Sequence, residues 1–269
     1  MVIRSGRIRR LFVTGGTGFL GRHVVNCPVG RAWEVVAPGS GSLDLRYRES
    51  VLAMVHDWKP TAVIHTAYRR GDRRSIVDAS AHVAEAAVAV SARLVHVSTD
   101  ALFAGRIAPY TEFDPPSPVH DYGRDKADAE SVVVAIDPGA VVVRTSLIFG
   151  TDQLSGHERA VHDAVSGRST TTFFTDEIRS PVLAGDLAAA LVDLAANAEP
   201  TGLLHLGGPE ALSRAELARL TAQRHGWDTT RLRFSTIAES GLIRPSRVVL
   251  DSSRARSHGI AVRGPASWP

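Results

Sequence analysis

The 269-residue chain has one cysteine, only two lysines and no long apolar run. Cys27 alone cannot close an intramolecular disulfide and has no CxxC neighbour for a metal site, so a reducing, cytoplasmic setting is expected. No stretch of about 18 apolar residues offers a membrane span. The basic residues 1–10 enter a strand directly, without the apolar region of a signal peptide. The formal net charge is only +3, and the basic residues are dispersed, with no aromatic-interleaved stripe of the kind a nucleic-acid groove requires. Of the 31 basic residues 29 are arginine, so a lysine stands out wherever it occurs.

What is present is an ordinary globular composition, 44% hydrophobic against 22% charged, with no charge block. The length suits one large domain, or a nucleotide-binding domain with a modest second lobe, because single cores stop growing at roughly 250–300 residues. Short apolar or β-branched runs at 8–14, 34–37, 62–66, 94–98 and 140–144 predict buried strands. Helical spacing follows the first run from Phe19, and segments 47–58, 75–91 and 120–136 have helical length and pattern. Strands alternating with helices imply an α/β fold, a doubly wound parallel sheet of the NAD(P)-binding Rossmann kind, expected over residues 8–150. Beyond Gly150 the alternation weakens. Helices are expected at 157–166, at 186–197 with Asp186 as cap, and at 213–225, with strands at 170–175 and 203–206. Residues 151–262 read as a smaller, substrate-binding C-terminal lobe interleaved with the last sheet elements.

Gly15, Gly18 and Gly21 lie between the first predicted strand and the first predicted helix. In that context one glycine permits a tight turn, the next lets backbone approach a pyrophosphate, and the third lets helix and strand pack closely. The carboxylate that would hold the adenine ribose of NAD is missing from Val36-Ala-Pro-Gly39-Ser40, which favours NADPH and leaves NADH open. Asp44-Leu45 either meets the adenine moiety or caps the helix that follows.

Tyr122-Gly-Arg-Asp-Lys126 sets a phenol and an ammonium one helical turn apart, on one face. An ammonium there favours the ionised phenol, so the tyrosine can give a proton to a carbonyl as hydride arrives, and the lysine can also hold a ribose. In a chain that otherwise uses arginine, a lysine at this spot argues that an ammonium in particular is required. Thr99 ends a predicted strand at the carboxyl edge of the sheet, where doubly wound folds bind ligands. His65 and His96 sit on predicted buried strands without ligand-spaced partners and read as hydrogen-bonded core residues, so no metal site is expected.

In series, Gly15-Gly-Thr-Gly18-Phe-Leu-Gly21, Asp44-Leu45, Lys59-Pro-Thr-Ala-Val-Ile-His65, Ser98-Thr-Asp100, Tyr122-Gly-Arg-Asp-Lys126, Val143-Arg-Thr-Ser146, Ile178-Arg-Ser-Pro181, Gly202-Leu-Leu-His205 and Arg244-Pro-Ser246 ahead of Leu250-Asp251 resemble the dTDP-4-dehydrorhamnose reductase family of extended short-chain dehydrogenases. The resemblance implies Thr99, Tyr122 and Lys126 as a catalytic triad, Gly15, Gly18, Phe19, Leu20 and Gly21 as a phosphate loop, and Thr66, Ala67 and Tyr68 as cofactor neighbours. It implies Asp100, Leu147 and Arg179 on the substrate side, and reduction of a keto group on a nucleotide sugar, a small-molecule partner, with NAD(P)H. A homodimer is left open.

The chain departs from the family pattern at Ala101, in place of a tyrosine, at Ala104, in place of an aspartate, and at Leu147, where tryptophan is frequent. These changes bear on the substrate more than on the chemistry. A dehydratase would need Asp-Glu directly after the threonine, which Asp100-Ala101 does not supply. A nucleotide-sugar epimerase shares the tyrosine–lysine pair, and a non-catalytic NAD(P)-binding regulatory subunit would tolerate pocket substitutions, so both stay as alternatives.

Overall fold

The computed structural model describes residues 9–150 and 153–268; the expected strand residue Ile8 and the first lobe residues Thr151 and Asp152 lie outside the described residues. Strand and helix alternate through β1 (Arg9–Thr14), α1 (Phe19–Val25), β2 (Trp33–Val36), α2 (Arg48–Trp58), β3 (Ala62–His65), α3 (Val77–Ala89), β4 (Arg93–Thr99), α4 (Asp121–Ile136) and β5 (Val141–Thr145). There follow β6 (Ile148–Phe149), α5 (Gly156–Val165), β7 (Thr172–Phe174), β8 (Ile178–Arg179), β9 (Val182–Leu183), α6 (Ala184–Ala196), β10 (Gly202–Leu206), β11 (Leu212–Ser213), α7 (Arg214–Arg224) and β12 (Arg233–Ser235).

The apolar runs are strands because both of their faces are covered: Leu11, Phe12, Val13, Val63, Ile64, Val95, Val141, Val142 and Val143 expose no surface. They form a six-stranded parallel sheet in the order β10-β5-β4-β3-β1-β2, the expected α/β fold. The chain leaves β1 towards β2 on one side and comes back to β3 on the other. With right-handed crossovers that reversal carries α1 to the face opposite α2 and α3, which pack on one another. The carboxyl ends of β1 and β3 thereby become the switch point at which such sheets take ligands.

The chain divides into two compact units: Met1–Val97, Asp128–Val142 and Leu191–Gly202 form one, and Ser98–Ala127, Val143–Ala190 and Leu203–Pro269 form the other. The glycine turn belongs to the first unit; Thr99, Tyr122 and Lys126 belong to the second. In the second unit β7 pairs with β12 and β6 with β9 in parallel, and β8 pairs with β11 antiparallel. Its apolar cluster of Val161, Ala164, Phe173, Ala215, Ala218, Ala222 and Leu232 packs against Trp227 and Phe234. Helices α5 and α7 open on reciprocal capping boxes, Ser155 with Glu158 and Ser213 with Glu216.

One expected cap, and one of the two readings of Asp44, are corrected. Helix α6 begins at Ala184, so Asp186 lies inside its first turn, and its carboxylate instead takes the backbone N–H and guanidinium of Arg263. Helix α2 is capped at Tyr47, not Asp44, because Asp44 is held by Arg46. Among the described residues no helix is long and apolar enough to cross a membrane, and no group of three or more His, Cys, Asp or Glu could hold a metal ion.

Candidate active site

In the first unit, the turn after β1 is built for close backbone approach. Gly15 has φ +73°, and a Cβ there would meet Thr66 Oγ1 and the Ala67 backbone at 2.8 Å. Thr66 holds that approach by donating its hydroxyl to the Thr14 carbonyl at 2.7 Å. A Cβ on Gly21 would run into the Gly15 carbonyl and Gly16 Cα, so this glycine seats α1 against the turn. Gly18 differs: it is exposed, and a Cβ there would meet only the Gly15 oxygen, at 3.1 Å. It is the N-cap of α1 with no side chain capping it, and the first turn carries no acidic residue, so backbone N–H groups face outward without a competing carboxylate. Glycine cradle, uncapped donors and absence of carboxylate all fit a dinucleotide diphosphate.

Phe19 is half-buried and Leu20 is buried on α1; Ala67 and Tyr68 leave β3 beside Gly15, with Tyr68 52% exposed. Asp44 is bound by the Arg46 backbone and guanidinium at 2.7–3.2 Å, and these hydrogen bonds pull its pKa down to about 2. Arg46 also reaches Asp72 at 3.3 Å, and the Leu45 carbonyl faces His82 Nδ1 at 2.9 Å. His65 is the hydrogen-bonded core residue expected, between Thr14 Oγ1 at 2.6 Å and Ser80 Oγ at 3.1 Å. Its ring lies 5.1 Å from that of His96, which is fully buried.

In the second unit, the residues around Thr99 and Tyr122 form a connected set. The Thr99 hydroxyl accepts the Ala101 N–H at 3.2 Å as the chain enters a single 3-10 turn, Asp100–Leu102. That bond uses one lone pair, and the O–H donates to Asp100 Oδ1 at a long 3.5 Å, a weak bond that a better-placed acceptor can replace. The Ala101 carbonyl then abuts Gly123 so closely that any Cβ on Gly123 would clash with it. Gly123 therefore lets the first turn of α4 sit against the turn after Thr99. Tyr122, half-buried, and Lys126, 4% exposed, are carried on that same stretch of helix.

Two participants escape sequence reading. His120 precedes α4, and its carbonyl accepts from Arg124 N while its Nδ1 accepts from Gly123 N at 3.2 Å, so it caps the helix. Its ring lies 6.4 Å from that of Tyr122. Histidine is not a usual N-cap residue, so no capping signal marks it; Gly123, a glycine in a first helical turn, is the only local hint.

The segment between Thr99 and Tyr122 is braced from beneath. Phe103 stacks on Tyr110 at 4.0 Å, Arg106 lies over Tyr110 at 4.1 Å and pairs with Asp114 at 2.6 Å, and Ser117 N donates to the Leu102 carbonyl. The fully buried Arg144 sits 5.3 Å over Phe103, and His205 meets the same ring edge-on. His205 Nδ1 faces the Tyr110 carbonyl at 3.1 Å, which requires the proton on Nδ1. Burial pushes His205 down to about 4, with Arg144 adding to the effect and Glu112 opposing it. The unfolded chain, with an ordinary histidine near 6.5, then binds the extra proton between the two values, so stability falls as pH drops from about 6.5 to about 4 and levels off below. Chemical denaturation is expected to show a loss of about 2 kcal/mol from this group between about pH 7.5 and about pH 5. His205→Leu should flatten that dependence, and the Tyr110 carbonyl keeps a donor in the Asp251 amide. An unchanged acid slope in the variant refutes the assignment.

The residues expected on the substrate side are mostly committed inward. Asp100 is 6% exposed, accepts the Ser146 hydroxyl at 2.6 Å and lies 3.8 Å from Arg179; burial pushes its pKa up against the pull of Arg179. Arg179, equally buried, donates to the Ile178 and Pro245 carbonyls and pairs with Glu177 at 3.3 Å. Glu177 also holds Arg244 at 2.6 Å. Leu147 is half-buried, its carbonyl accepting from Val182 N.

Comparison with known proteins bears on both units. Residues 9–266 match the family described as RmlD substrate binding domain. The chain is 30% identical to rat methionine adenosyltransferase 2 subunit beta, over 96% of this chain and 84% of that one. It is 29% identical to dTDP-4-dehydrorhamnose reductase of Mycolicibacterium smegmatis, over 94% and 81%. In fold it is similar to dTDP-4-dehydrorhamnose reductase from Bacillus anthracis, solved in complex with NADP, with a TM-score of 0.87, 23% identity and 96% of each chain covered.

Proposed function

The chain belongs to the RmlD substrate binding domain family, and from that membership we propose that it reduces a keto group on a nucleotide sugar with NAD(P)H. The observation that carries the reading is the run of contacts from Thr99 through Ala101 and Gly123 to the helix bearing Tyr122 and Lys126.

Gly15, Gly18 and Gly21, with Thr66 and Ala67, would form the cradle for the cofactor's diphosphate, and the first amides of α1 after Gly18 would receive it. When bound, the nicotinamide supplies hydride. Thr99, one lone pair taken by the Ala101 N–H, would turn its O–H from Asp100 to the sugar carbonyl and orient it. Tyr122 gives its phenolic proton to the carbonyl oxygen, and Lys126 stabilises the phenolate left behind. The missing carboxylate after β2 supports NADPH as the better cofactor, with NADH weaker.

Purified protein with NADPH or NADH, offered dTDP-, UDP- and GDP-linked 4-keto sugars in turn, tests this by loss of nicotinamide absorbance. Oxidation with at least one sugar supports the reductase and names its substrate class. Cofactor binding without oxidation across the panel argues against it. That outcome favours a second reading, a cofactor-binding subunit of another enzyme, which the likeness to a methionine adenosyltransferase subunit supports equally by identity. The alanines at 101 and 104 and Leu147 are substitutions such a role would permit.

A further inference from the structure

We propose that His120 is the positioning residue that sets Tyr122 against Thr99, a role that rests on the reductase reading. Tyr122 and Gly123 are the second and third residues of α4, and the amide of Gly123 has no earlier helical carbonyl to bond. His120 Nδ1 takes that amide at 3.2 Å, and the His120 carbonyl receives Arg124 N at 3.1 Å, so one residue closes the helix start from both sides.

Gly123 is at the same time the residue pressed on the Ala101 carbonyl, and Ala101 is the residue whose N–H binds the Thr99 hydroxyl. One line of contacts from the Thr99 hydroxyl to the helix bearing Tyr122 therefore passes through the peptide that His120 fixes. The imidazole ring also stands 6.4 Å from the phenol ring, tilted by 43°. The bond demands a particular tautomer: Nδ1 must be bare to accept, so the ring proton sits on Nε2. Asp121 does not replace it, because its carboxylate is exposed and paired with Arg124 at 2.5 Å.

The test compares His120→Ala with His120→Asn, asparagine being a good N-cap of similar reach. In the active protein His120→Ala is expected to lower kcat about tenfold with KM for the sugar and the cofactor unchanged, and His120→Asn to recover most of it. Equal kcat in wild type and His120→Ala, or a loss that His120→Asn does not recover, overturns the proposal. Two measurements stand apart from turnover. Nitrogen NMR of the wild type should find the His120 proton on Nε2, and amide exchange at Gly123 should quicken about tenfold in His120→Ala and slow again in His120→Asn. A wild type that oxidises cofactor with no sugar removes the reductase reading alone; unchanged Gly123 exchange in His120→Ala removes the brace itself.

Discussion

Replacing Tyr122 by phenylalanine is expected to lower turnover about a thousandfold, the size of effect a positioned general acid supplies, and to leave the cofactor dissociation constant within about twofold of wild type. The variant removes one oxygen and keeps the ring that packs beside His120. The glycines proposed to hold the diphosphate belong to the other unit. Single-turnover oxidation of bound NADPH, with cofactor affinity read by fluorescence, separates the two quantities. Undiminished oxidation in Tyr122→Phe would show that the proton comes from elsewhere and would sink the mechanism. Lys126→Arg should not substitute for lysine, because the site is 4% exposed and a planar guanidinium is larger than an ammonium.

The second large effect lies in the glycine turn, where two glycines should fail in different ways. Gly21→Ala forces a side-chain carbon into the Gly15 carbonyl and Gly16 Cα, backbone atoms that cannot turn aside. Overpacking of this kind costs ~2 kcal/mol or more, and Tm should fall by about 5 °C or more. Cofactor affinity should fall with it, about a hundredfold, since the displaced helix carries the N–H groups that would receive the diphosphate. Gly18→Ala meets only the Gly15 oxygen, and its φ of −74° suits any residue, so Tm should move by about 1 °C at most. Its new methyl group nonetheless points into the space where backbone must approach the ligand, and affinity should drop about tenfold or more. Thermal denaturation and cofactor titration on the same two proteins decide the matter. If Gly18→Ala binds cofactor as wild type does, the diphosphate is not held at this turn.

These predictions show where sequence was legible. The five apolar runs announced the sheet strands because buried parallel strands are short and apolar throughout, and the expected helices at 47–58, 75–91 and 120–136 correspond to α2, α3 and α4 with shifts of one or two residues. Of the paired strands of two or three residues in the second unit only β7 was expected, within 170–175; β6, β8, β9, β11 and β12 carry no periodicity that marks them. The capping boxes at Ser155 and Ser213 stand in the sequence as S-x-x-E but were not among the expected caps; the misread cap at Asp186 was a carboxylate whose partner, Arg263, lies 77 residues away.

By itself the sequence determined the chemistry-bearing residue types and their local order: glycines spaced for a turn, a phenol and an ammonium one helical turn apart, a threonine at a strand end. Such features depend on neighbours within a few residues, and the 3.6-residue helical period is enough to bring Tyr122 and Lys126 to one face. Only the tertiary structure decided that Gly21 backs onto Gly15, that Thr66 and Ala67 close over that glycine, and that Gly123 lets α4 rest on the turn after Thr99 under a histidine cap. Each is an approach of backbone to backbone across a gap that the packing of sheet and helices sets, and glycine, having no side chain, leaves no mark in the sequence of which strand or helix it has been left bare to receive.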